Sequence, residues 1–468
     1  MENSVLTKDQ SMNLFLVGTL TGLFSANPLL TIYVLSAFVI ILRMNWRTRQ
    51  PAVFVYGLVH QWLQSAPRVF QANLAGVPLH AFDHSKNAET AVYLSITGVL
   101  LISLILSKWS RRFSFNNVRL VEVFRKISIW RAFQVHLLLL VLAPFLGALK
   151  IGGLSQFMLP IENLHWFAFC LLALAVFHQK REFIWLIVAF LLEFLFGLTG
   201  FFSGFKTVFI YLLIAALSVM TRLKIRHLAF FTLIASLLII LGLFWTAIKV
   251  DYRMFLSGGA RSQVIVVSSR EQINYLWSAV RNTEQIDWSR AANTLLDRLQ
   301  YTRMFQLTLD YVPEYTAHEQ GARWQSAVRH VLMPRIVYSN KAALDDSETA
   351  SKYTGLIWAG AAEGSSISLG YLAESYVDFG IPGMFLPIII LSSGFGYLYR
   401  LIVKKSADTD LVALNYVGII LIFAHFSLIE TSPPKLLGGI LLHFLIYHYF
   451  LRPVFYPGLW KFVTRKNP

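Results

Sequence analysis

Charge is scarce in this 468-residue chain: Asp, Glu, Lys and Arg together make up 14% of it, against about 25% in a soluble domain. That excludes an ordinary water-soluble globule. Cysteine is nearly absent. The one thiol, Cys170, lies in an apolar run, so no intrachain disulfide can form and no cysteine-based metal site exists. Acidic residues are outnumbered, 25 against 41 Lys and Arg, which gives a net charge of +16. No phosphate-binding P-loop, nucleophile elbow or metal-ligand cluster occurs. No repeat of fixed period is visible. No cofactor and no metal are expected.

What the chain has in abundance is apolar residues, 56% of the total. They recur in runs at 13–25, 28–43, 51–71, 88–107, 132–149, 164–178, 183–200, 203–220, 228–249, 384–402, 411–429 and 436–451. A perpendicular helix needs about 20 apolar residues to cross a bilayer, so several of these are short. The sequence predicts an all-α polytopic membrane protein of about 12 transmembrane helices, compatible with a GT-C-like architecture. Leu14–Phe24 has the length of a signal-peptide core. It follows Glu2, Lys8 and Asp9 rather than a basic cluster, and so reads as a first span.

The basic residues decide orientation. Arg43, Arg47 and Arg49 follow the second run; Lys108, Arg111, Arg112, Arg119, Arg125, Lys126 and Arg131 follow the fourth. Lys180 and Arg181, then Arg222, Lys224 and Arg226, then Lys404 and Lys405, and finally Arg452 and Lys461 follow later even-numbered runs. Positive loops stay in the cytoplasm. Both termini of this multi-pass protein are therefore expected there. Charge set between spans is not a nucleic-acid surface, which would gather it on one soluble face; no nucleic-acid partner is expected. The loop 108–131 also carries Phe113, Phe115, Val118, Val121, Phe124 and Ile127, and reads as a basic amphipathic helix on anionic lipid or as a connecting helix.

The chain divides into an N-terminal membrane bundle, 1–249, a long polar segment, 250–382, and a C-terminal membrane bundle, 383–468. The segment faces outward and is too rich in aromatic residues to be disordered. Near-helical spacing of Leu295, Leu296, Leu299 and Met304 predicts helix across 290–310, and four glycines mark 355–370 as a loop. Its cations are mainly arginines, among them Arg253, Arg270, Arg303 and Arg323. Guanidinium suits phosphate and carboxylate. For any single arginine, a salt bridge within the segment competes with a role in holding an anionic substrate.

Three stretches carry possible chemistry. In Met333–Lys341, Arg335 and Lys341 stand six apart around Tyr338, placed to grip one anion from two sides. In Gly370–Gly380, Glu374 and Asp378 are four apart, so a helix puts them on one face. Either carboxylate suits a general base; capping and pairing with arginines compete with that role. Gly380 is the expected helix end. At the outward turn Gly200–Lys206, Lys206 begins a helix whose free amides favour an anion. Glu193 is an acid inside a span and so a functional candidate. His165, at a span end, reads as structural. His425, Glu430 and Lys435 border the same outer surface.

These motifs resemble those of bacterial O-antigen polymerases of the Wzy type, the oligosaccharide repeat-unit polymerases. The similarity rests on many spans with one large late loop and on Pro334-Arg335 leading to Lys341, then Asp345, Asp346 and Tyr353-Thr354-Gly355. It also rests on Glu374, Tyr376, Phe379 and Gly380, which fill a Glu-x-Tyr-x-x-Phe-Gly pattern. Ala342 stands where that family has proline. The resemblance implies transfer of a growing glycan from undecaprenyl pyrophosphate to the next lipid-linked repeat unit at the outer face of the inner membrane. Glu374 or Asp378 would be catalytic. Lys206, Arg253, Arg270, Arg303, Arg335, Tyr338, Lys341 and Tyr376 would hold pyrophosphate or glycan. The expected partners are a lipid-linked oligosaccharide, membrane lipids, a chain-length regulator and a flippase. An O-antigen ligase, another polyprenyl-linked glycosyltransferase and a transporter or flippase share this layout.

Overall fold

In a computed structural model, the described residues are 4–148, 155–198, 204–259, 265–333, 337–338, 341, 344–360, 366–406 and 409–464. They form an all-helical protein. The N-terminal part holds α1 (Lys8–Leu23), α2 (Pro28–Asn45), α3 (Val53–Ser65), α4 (Pro67–Leu74), α5 (Leu79–Asp83), α6 (Ala88–Arg112), α7 (Asn117–Arg125) and α8 (Ile129–Ala148). It continues through α9 (Ser155–Glu162), α10 (Leu164–Gln179), α11 (Phe183–Leu198), α12 (Lys206–Val219) and α13 (Ile225–Leu256). The polar segment contributes α14 (Ser269–Arg281), α15 (Trp288–Leu299), α16 (Thr302–Tyr311), α17 (Ala322–Leu332), α18 (Asp346–Thr354) and α19 (Gly370–Gly383). Last come α20 (Phe385–Ser406), α21 (Val412–Phe423), α22 (Pro433–Leu445) and α23 (Tyr456–Thr464), with a π-helical stretch, Ile446–Phe455, joining the final two.

Every apolar run read from the sequence contains a helix. Among the described residues, six helical stretches are long and apolar enough to cross a membrane: Pro28–Asn45, Ala88–Arg112, Phe157–Gln179, Ile225–Leu256, Phe385–Ser406 and Pro433–Thr464. A seventh span results if α7 and α8, bent by 81°, are taken together. The apolar helices Phe183–Leu198, Lys206–Val219 and Val412–Ser427 are shorter. At about 1.5 Å per residue they reach about 21–24 Å, less than a hydrocarbon core of about 30 Å. The run 51–71 is broken at Ala66–Pro67 into α3 and α4, because Pro67 cannot continue the preceding ladder.

Two helices form the centre. In α21 every residue from Val412 to Phe423 is buried, and α10 is buried without interruption from Phe167 to Val176. Helices apolar on all sides lie inside a bundle. By contrast α13 exposes Ile225, Leu233, Ile239 and Ile240, and Leu295 of α15 lies against its Gly242. The expected helix at 290–310 is present as α15 and α16, split at Gln300 and Tyr301. In the loop 108–131, Leu120, Val123 and Phe124 of α7 are buried against protein. One face of that helix is thus packed on protein, while Val118 on it is exposed.

The last helix of the polar segment is not peripheral. Residues Gly370–Asp378 of α19 are all buried, and they share one hydrophobic cluster with the spans. Tyr371 donates a hydrogen bond to Gln61 of α3 at 2.6 Å, and Leu372 presses on Gly98 of α6. Gly370 starts the helix at φ +78, and a Cβ there would meet the Ile429 carbonyl and the Tyr301 hydroxyl. Backbone conformation and space both demand glycine. Gly370→Ala should therefore destabilise the protein by about 1–3 kcal/mol, seen as a lowered thermal midpoint in detergent. Gly394→Ala, with no atom within 4 Å of the new methyl, should leave the midpoint in place.

Candidate functional site

The site is built where α17 crosses α19. Helix α17 is amphipathic, with Trp324, Val328 and Leu332 on one stripe. Its cap, Gly321, has no side chain to satisfy the first amides. Asp378 does so from α19: one carboxylate oxygen accepts from the Arg323 amide at 2.9 Å and the other from the Trp324 amide at 2.8 Å. One turn back, Ser375 accepts from the Trp324 indole at 2.9 Å. Glu374 accepts from the Arg323 guanidinium at 2.9 Å, and the same Nη2 donates to Thr349 of α18 at 3.0 Å. Arg323 Nε is buried without a hydrogen-bond partner. One guanidinium N–H is thus left unused beside a carboxylate.

A second layer holds this pair. Glu319 accepts from Tyr353 at 2.5 Å and from Lys352 at 2.6 Å. The Tyr353 ring lies 6.0 Å from the Arg323 guanidinium carbon. Lys435 of α22 pairs with Asp346 at 2.6 Å and donates to Ser366 at 3.2 Å.

Burial pushes the Glu374 carboxyl up to about 7; Arg323 opposes the shift, while Asp346 and Asp378 add to it. Burial also raises Asp378, against the two backbone amides that hold it ionised. Burial disfavours the charge on Arg323, but Glu374 more than compensates and keeps it firmly protonated. The result is a carboxyl poised near neutrality beside a fixed cation, the condition for proton transfer at physiological pH.

The same two helices, α17 and the end of α19, also border an open apolar groove of about 660 Å³, whose lining includes neither Arg323 nor Glu374. Trp324, Val328 and Leu332 form one wall, and Phe379, Leu386 and Ile390 the other. Leu386 and Ile390 belong to the span α20 and are 56% and 64% exposed, so the groove opens along the apolar flank of the bundle. A family model described as a domain of unknown function, DUF8712, matches residues 94–431, more than half of the chain. The chain belongs to the DUF8712 family. The family region takes in Arg323, Glu374, Asp378 and the whole polar segment, and ends just before Lys435. No curated protein and no solved structure matches the chain.

The residues singled out in the sequence are distributed as follows in this DUF8712 protein. Glu374, Asp378 and Tyr376 share α19, but Tyr376 points away from Arg323, donating to the Val312 carbonyl at 2.7 Å. Lys341 sits at the other end of α17, donating to the carbonyls of Met333, at 2.9 Å, and of His330. Tyr338 is 45% exposed, and Arg335 lies outside the described residues. Arg303 lines a separate cavity of about 170 Å³ with Arg68, Asp83 and His84. Arg253 lies within electrostatic range of Arg298, and both act with Lys206 on Lys249. Arg270 is exposed near the start of α14. The α19 helix is interrupted where its end was expected, at Gly380, and then runs on to Gly383.

Sequence reasoning did not single out Arg323 or Lys435 as a partner of the carboxylates. A carboxyl whose folded value lies near 7 rather than 4.5 loses stability as pH rises from the ordinary carboxylate range through neutrality, because the folded state must then bury a charge. Relative to Glu374→Gln, the parent protein should therefore lose thermal stability between about pH 5 and pH 8. Parallel melting curves for the two would contradict this.

Proposed function

We propose that this DUF8712 protein is a polysaccharide polymerase acting on lipid-linked repeat units. It moves a growing glycan from undecaprenyl pyrophosphate to the next unit at the outer face of a bacterial inner membrane. The observation that carries the reading is an apolar groove that opens along a span and is lined by Trp324, the next residue in the chain after Arg323 of the Arg323–Glu374 pair. A polyprenyl chain requires such a groove, and a sugar hydroxyl requires a nearby base. The motif resemblance around Glu374, Tyr376, Phe379 and Gly380 supports the same reading.

In the proposed step the acceptor hydroxyl attacks the anomeric carbon of the donor sugar. Its proton passes to the Glu374 carboxylate. The bond from that carbon to the pyrophosphate oxygen breaks, and the lipid pyrophosphate leaves with the electron pair. Arg323 holds Glu374 in place and keeps part of it ionised near neutral pH. Its fixed positive charge also favours an anionic oxygen as charge develops. Arg335 and Lys341 are the cations that the motif resemblance assigns to the pyrophosphate.

Deletion of the gene separates this reading from its neighbours. Loss of a polymerase leaves surface glycan as single repeat units. Loss of a ligase leaves long chains unattached, and loss of a flippase traps units inside. Complementation should then fail for Glu374→Ala and Arg323→Ala, with chain extension reduced by about 100-fold or more at normal protein level. Leu386→Arg, which places a charge in the groove, should cut extension without disturbing the Arg323–Glu374 pair. Full-length polymer from the Glu374 and Arg323 variants would remove the site assignment, and full-length polymer from the deletion strain would remove the function.

A further inference from the structure

Away from this site, the bundle buries a carboxylate among histidines. Glu193 lies inside α11 and is 3% exposed. Its Oε1 is 2.7 Å from His165 Nδ1 on α10 and 3.7 Å from His136 Nε2 on α8. His136 is fully buried, and its Nε2 has no hydrogen-bond partner. Its other nitrogen, Nδ1, lies 3.3 Å from the His165 carbonyl, an acceptor only, so that nitrogen carries the proton. In the neutral ring Nε2 is then a bare lone pair aimed at Glu193.

Glu193 also lies within electrostatic range of Cys170 on α10 and Tyr211 on α12. Among the described residues, the charged neighbours of His136 are Glu193 and His165, with no Lys or Arg. Trp166 packs on the His165 ring with centroids 4.5 Å apart, and Phe169 meets His136 edge-on. In such apolar walls an isolated carboxylate is costly. With Glu193 ionised and both rings neutral the set carries one negative charge, and one proton on Glu193 or on either ring neutralises it; the 2.7 Å contact lets that proton pass between Glu193 and His165. His136 Nε2, which has no hydrogen-bond partner, is a further place for a proton.

Access is one-sided. The His165 side chain is 14% exposed, whereas His136 and Glu193 are sealed. His165 stands in the first turn of α10, two residues from Asn163, whose amide lies 3.4 Å from His443 Nε2. His443 meets His425 at 3.1 Å. The adjoining Phe426 carbonyl accepts from Gln61, the partner of Tyr371 on α19. The open end of the cluster thus lies on the same face as the polar segment.

We propose that Glu193, His165 and His136 form a buried proton-binding site that exchanges with the compartment facing residues 250–383. Uptake turns His136 Nε2 into a donor toward Glu193 and draws α8 onto α11. This inference is independent of the glycan reading. The test is proton uptake by the full chain in nanodiscs, titrated between about pH 8 and pH 5 and read together with carboxyl infrared difference spectra. Glu193→Gln preserves shape and can donate to His136 Nε2; His136→Asn serves as a second variant should the first fail to fold. The parent chain should take up about one proton more than either folded variant, with a carboxyl band missing from Glu193→Gln. In sealed vesicles the response should follow the pH on the side where protease reaches the polar segment. Equal uptake by parent and variants, or a response to the opposite side, would overturn the proposal.

Discussion

The buried face of α19 ties the two halves of this protein together. Asp378 supplies the cap that α17 lacks, and Glu374 takes the guanidinium of the residue in that same first turn. Both carboxylates are buried, so water competes little for either bond, while the Arg323 side chain keeps one side of the pair partly open. A buried acid left without its partner costs several kcal/mol. The polar segment is thereby anchored to a helix that itself sits in the membrane bundle, and the groove exists because α17 is held across the N-terminal ends of α20 and α22.

This arrangement explains why one side-chain pair can serve structure and chemistry together. Asp378 is satisfied by two backbone amides and is the better structural anchor. Glu374 has a single side-chain partner and a proton affinity near neutrality. Two acids one turn apart are thus driven toward different roles by what each of them faces. The buried triad at Glu193 uses related physics in a different place. There the carboxylate faces imidazoles rather than a permanent cation, so the local charge follows proton supply instead of being fixed.

Part of this was legible in the sequence. The periodic apolar runs specify helices because only helices satisfy their own backbone in lipid. The spacing of Glu374 and Asp378 places them on one helical face. Gly380 marks a break because glycine alone enters its backbone conformation easily. Arg323 was one arginine among ten in the segment, and nothing local distinguishes it. Its importance comes from α17 crossing α19. Lys341 shows the converse: its place in a motif suggested an anion, whereas the fold occupies its amine with carbonyls at the end of α17.

The sequence by itself determined that this is a helical membrane chain with a long polar segment near its end, and that two carboxylates there share a face. Hydrophobic periodicity and helix geometry act over short distances, so they can be read residue by residue. Only the tertiary structure decided that α19 is core rather than surface, that Arg323 is the partner of Glu374, and that Glu193 meets His136 and His165. Those contacts join residues 28 to 57 positions apart, and they depend on helix packing that no local pattern encodes.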